Sequence, residues 1–168
     1  VSYPQQHHGQ YGTPGHWGSV PRRGNSFTAV VAALAGLVAA GAFGYLVANL
    51  LMTVPVDVLA QEAGPFSITV AHATAALLLL LGAVLVFARQ TAGAALLLIG
   101  GLLGVASVLC EPLALGAGLD SMGRYVVALL RFSSLGVTVT AIGLIGSALA
   151  FLVGVLPPTF TWLRGSRA

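Results

Sequence analysis

Four long apolar runs separated by short polar breaks organise the chain. They cover about residues 27–52, 66–87, 91–110 and 131–156. Each is long enough for the roughly 20-residue helix that crosses a hydrocarbon core about 30 Å thick. Apolar residues follow one another without alternation, which predicts helices and not the strands of a membrane barrel. No run holds an acidic residue in its middle. Asn49 is the one strongly polar residue of the first, and Pro157-Pro158 stops the fourth. The pattern predicts an all-α fold, an integral membrane four-helix bundle over residues 26–158.

Composition strengthens that reading. The chain is 57% hydrophobic and 7% charged, where a soluble domain carries about 25% charge; its mean hydropathy is +0.95. So few ionisable side chains cannot coat four apolar helices in water. That excludes a water-soluble enzyme or a nucleic-acid-binding domain and makes the lipid bilayer the expected partner. Residues 1–25, VSYPQQHHGQYGTPGHWGSVPRRGN, lack apolar periodicity and predict a disordered cytoplasmic tail. Residues 159–168 predict a short cytoplasmic C-terminal tail. With YPQQHHGQYGTPG running into PRRGN ahead of four Ala/Gly/Leu/Val runs, the chain resembles the small uncharacterised tetraspan membrane proteins of actinobacteria. The resemblance implies a four-span layout behind a Gly/Pro/Gln/Tyr-rich tail. It implies no activity and no site residue.

Charge placement predicts an orientation. All seven basic residues are arginines. Arg22 and Arg23 precede the first run, Arg89 lies in the turn between the second and third, and Arg164 and Arg167 follow the fourth. Asp57, Glu62, Glu111 and Asp120 fall in the other two connections. Arginines gather on the cytoplasmic side of short loops, so the arrangement predicts a multi-pass plasma-membrane protein with both termini cytoplasmic. Arg124 and Arg131 are the exceptions. Asp120-Ser121 offers a helix cap, and the apolar pattern continues through Tyr125 into the fourth run. It predicts a single helix of about 36 residues, roughly 54 Å long, whose first turns protrude or lie at the outer surface with Arg124 and Arg131 on one face.

Small residues recur at four-residue steps: Ala32, Gly36, Ala40, Gly44 and Ala48; Gly100 and Gly104; Gly146, Ala150 and Gly154. Helices in lipid associate through close backbone approach. Gly36, Ala40, Gly44, Gly100, Gly104, Gly146 and Gly154 are therefore the expected packing positions, within the bundle or against a membrane-protein partner or a second copy.

The candidate polar layer is Asn49, His72, Glu111 and Arg131, which the topology brings to similar depth near the outer end. The plain expectation is a hydrogen-bonded layer, with Glu111 paired to Arg131 and His72 bonded to a carbonyl or hydroxyl. A proton-linked or ligand-binding site is the sharper use of the same groups. Thr138, Thr140 and Ser147 can each bond their own helix backbone. Cys110 is the single cysteine, which excludes an intrachain disulfide. No GxSxG, HExxH, CxxC or phosphate-cradling loop occurs, so no catalytic residue, cofactor or metal site is expected. These features predict a non-enzymatic accessory or assembly subunit of a larger membrane complex; the alternative is a small transporter or channel component.

Overall fold

The computed structural model describes residues 26–157 together with Thr159 and Leu163. The expected N-terminal tail, Arg22, Arg23, Arg164 and Arg167 lie outside the described residues. The regular structure within them is six helices: α1 (Ser26–Thr53), α2 (Val56–Gln61), α3 (Ala63–Phe87), α4 (Thr91–Ala114), α5 (Asp120–Leu130) and α6 (Leu135–Val155). α1, α3, α4 and α6 are each long and apolar enough to cross a membrane. The chain is an all-α, multi-pass integral membrane protein.

α1 packs on α3 and α6, and α4 packs on the same two helices. The four spans thus form a closed ring in chain order. One end of the ring holds the start of α1, the α3–α4 turn and the end of α6. The other, the loop end, carries α2 and α5. Each span leaves a row of large apolar side chains outside, among them Leu34, Val38, Leu81, Leu102 and Leu152, as a helix facing hydrocarbon requires.

The turn at Arg89 explains the tight α3–α4 hairpin. The Gln90 amide donates to the Leu85 carbonyl at 2.8 Å and the Arg89 amide to Val86 at 2.9 Å. This is the paired closure that ends many helices, and it places Arg89 at φ +57°. The hairpin then closes backbone to backbone. A Cβ on Gly82 would stand 2.8 Å from the Leu97 amide nitrogen, and one on Gly93 2.8 Å from the Gly82 carbonyl oxygen.

The expected packing glycines divide. Gly36 admits Leu97 from α4, Gly100 lies against Leu79, Gly104 against Ser147 and Phe43, and Gly146 against the Ala35 carbonyl. Gly154 touches Leu98 more loosely. Ala40 is buried, but Gly44 and Ala48 are exposed, and nothing stands within 4 Å of a Cβ on Gly44. Four-residue steps on a helix of 3.6 residues per turn advance about 40° each. A five-member series therefore winds off the face on which it starts. Gly82 and Gly101, outside any such series, make some of the tightest approaches.

The single long helix expected from Asp120 onward is two helices. The helix breaks at Phe132, where φ is +48°, and Ser134 starts α6 by accepting the Val137 amide at 3.3 Å. Serines compete for backbone hydrogen bonds and favour helix starts over helix interiors. The apolar pattern alone conceals such a break. Asp120-Ser121 caps nothing: Asp120 is already helical, and the Ser121 hydroxyl donates to the Gly118 carbonyl at 2.6 Å. In the first connection, a short helix that the sequence did not announce buries Leu59.

Candidate functional site

Asn49, Thr69, His72, Glu111 and Thr140 gather at the loop end, around a cavity of about 270 Å³. α1 contributes Leu46, Asn49 and Leu50, and α3 contributes Ile68, Thr69 and His72. Glu111 comes from α4 and Thr140 from α6. All four spans therefore meet around it.

Periodicity explains part of this convergence. Pro65, Ile68, Thr69 and His72 fall three or four residues apart and so share one face of α3. Leu46, Asn49 and Leu50 do the same on α1. Beneath the cavity Phe43, Leu79 and Leu97 are fully buried. The His72 ring stacks on Phe43 with centroids 5.0 Å apart and planes inclined by 18°.

His72 is 5% exposed, and its Nε2 has no hydrogen-bond partner among the described residues. The expected bond to a carbonyl or hydroxyl is absent at that nitrogen. Ser147 departs from expectation in the same way: its buried Oγ is unpartnered and lies against Gly104. Thr138 and Thr140 behave as expected, donating to the carbonyls of Ser134 and Gly136 at 2.8 and 2.9 Å. Thr69 likewise donates to Pro65 at 2.7 Å.

Glu111 is half-buried, and its Oε2 accepts the Tyr125 hydroxyl at 2.5 Å. Tyr125 takes the place that the sequence assigned to Arg131. Burial first, and then the Glu111 carboxylate to which it donates, push the Tyr125 phenol well above its ordinary range. Arg131 is exposed at the end of α5. With Gly123, Arg124, Val127 and Ala128 it lines a separate shallow groove. The break before α6 turns it away from the layer it was expected to join. Asn49 is exposed but stays on the cavity lining.

The end of α4 sets the position of Glu111. The Ala117 amide donates to the Pro112 carbonyl at 2.8 Å and the Gly116 amide to Leu113 at 3.0 Å. Gly116 takes φ +80°, the left-handed position a glycine adopts without steric cost. The chain then returns through α5 and brings Tyr125 over the carboxylate.

Three of the four expected polar residues thus share one cavity, and Arg131 does not. Thr69 and Thr140 join them in its lining, and Tyr125 holds Glu111 without lining the cavity itself. Thr69 was within reach of the sequence, being three residues before His72 on the same helix face. Tyr125 was not, because its contact depends on the path of α5. Cys110 is exposed with a free thiol. Among the described residues no group of three His, Cys, Asp or Glu side chains is placed to hold a metal ion. No protein family, curated protein or solved structure matches the chain.

Proposed function

We propose that this chain is a non-enzymatic accessory or assembly subunit of a larger plasma-membrane complex, acting through helix packing, with both termini in the cytoplasm. The observation that carries this reading is the filled axis of the ring. Phe43, Leu79 and Leu97 occupy the centre, and Gly82 and Gly93 bring two backbones together towards the end opposite the cavity. A small, closed bundle with apolar outer faces is suited to stand beside other membrane helices. The arginine distribution supports the orientation.

Purification from native membranes in mild detergent through a C-terminal tag tests the reading. A larger membrane protein should co-purify in fixed ratio. Recovery of the chain alone, as monomer or homo-oligomer, would reject it. The loop-end cavity favours a second reading, a small transporter or channel component, and recovery of the chain alone would turn attention to it.

A further inference from the structure

The groups around the cavity are unevenly supplied with hydrogens. Thr69 and Thr140 both donate their hydroxyl hydrogens to carbonyls of their own helices. What each oxygen has left to offer is lone pairs. Glu111 offers more of the same. Tyr125 engages Oε2, while Oε1 has no hydrogen-bond partner among the described residues. Among the described residues no arginine lines the cavity, and an ionised carboxylate is an acceptor only. Asn49, at the rim, brings both a donor and an acceptor, as a neutral His72 imidazole does. His72 adds a buried Nε2 without a partner. Around these groups Leu46, Val47, Leu50, Ile68 and Leu115 supply apolar wall.

We propose that this cavity binds a small alkylammonium ion, with its charged head on Glu111 and its chain against the leucine and isoleucine wall. The chemistry on both sides matches. An ammonium group has three donors and no acceptor, the complement of a lining rich in lone pairs. A single carboxylate gains from a cation that brings its own hydrogens. At about 270 Å³ the cavity has room for a head group carrying a short chain. Tyr125 fixes the carboxylate by holding Oε2, which leaves Oε1 for the ligand. The site does not depend on whether the bundle is a subunit or a transporter.

Calorimetric titration of the full chain in nanodiscs tests this with three probes of equal length: hexylammonium, hexanol and hexanoate. Hexylammonium should bind saturably. Hexanol, which fills the same wall without the charge, should bind about tenfold or more weakly, and hexanoate should not bind. Glu111→Gln keeps the shape and still accepts from Tyr125, so the fold should survive, as a thermal melt checks. Its affinity for hexylammonium should fall about tenfold or more. A second variant, Ile68→Ala, keeps the carboxylate and should weaken hexylammonium while barely affecting methylammonium, which lacks the chain. Equal affinity for hexylammonium and hexanol, equal binding by Glu111→Gln and the unaltered chain, or no saturable binding at all would each overturn the assignment.

Discussion

Tyr125 donates to Glu111 from a helix that does not itself cross the bilayer, and this one bond ties α5 to α4. Its phenol is held above the ordinary tyrosine value of 10.0 by burial and by the neighbouring carboxylate. A group whose folded value is raised contributes stability in full below the unfolded value and loses it as pH rises further. Here the loss begins above about pH 10. An alkaline titration followed in the tyrosinate ultraviolet band should therefore give the same amplitude up to about pH 11 for the unaltered chain and for Tyr125→Phe. A smaller amplitude in the variant would show Tyr125 ionising like an exposed phenol. The variant should also unfold more easily, by about 1 kcal/mol, because Glu111 loses its donor. Sequence reasoning reached Glu111 and His72 because an ionisable group inside an apolar run is conspicuous. It chose Arg131 as the partner on opposite charge alone. A neutral phenol competes well at such a site because it brings a hydrogen bond without a second charge to desolvate.

At the scale of helices, close approach and exposure separate positions that look alike in sequence. Gly82 faces the α4 backbone, where a Cβ would stand 2.8 Å from the Leu97 amide nitrogen. Gly44 has open surroundings. Gly82→Leu should destabilise the bundle by about 3 kcal/mol or more, since the obstacle is backbone and cannot rotate away. Gly44→Leu should not destabilise it, and losing a mid-helix glycine favours the helix by up to about 1 kcal/mol. Thermal unfolding in nanodiscs reads both, and comparable losses at the two sites would contradict the packing described. The spans were legible because twenty or so continuous apolar residues admit few other structures. The packing glycines were legible only in part. A four-residue repeat identifies small residues but not the face they occupy several turns later, and Gly82 belongs to no repeat. The α5–α6 corner was hidden for a related reason: Leu129 and Leu130 before it and Leu135 after it read as one apolar run, although the serines between them start a new helix.

At the scale of the whole molecule, the described residues are polarised in charge along the axis. Asp57, Glu62, Glu111 and Asp120 all lie towards the loop end, with Arg124 and Arg131 as the described arginines there. Arg89 occupies the opposite end, in the α3–α4 turn. The cavity lies on the acidic side, so a cationic ligand arriving from that side meets a favourable field before it meets the apolar wall. If the loop end faces outward, as the arginine distribution argues, the ligand reaches Glu111 without crossing the membrane. Two single-cysteine variants on a Cys110→Ala background decide the direction. Asp57 and Gln90 are both exposed and lie at opposite ends. A membrane-impermeant maleimide added to intact cells should label Asp57→Cys at once and Gln90→Cys only after permeabilisation. The reverse pattern would invert the topology and make the cavity a receptor for cytoplasmic amines, leaving its chemistry unchanged but exchanging the compartment it samples.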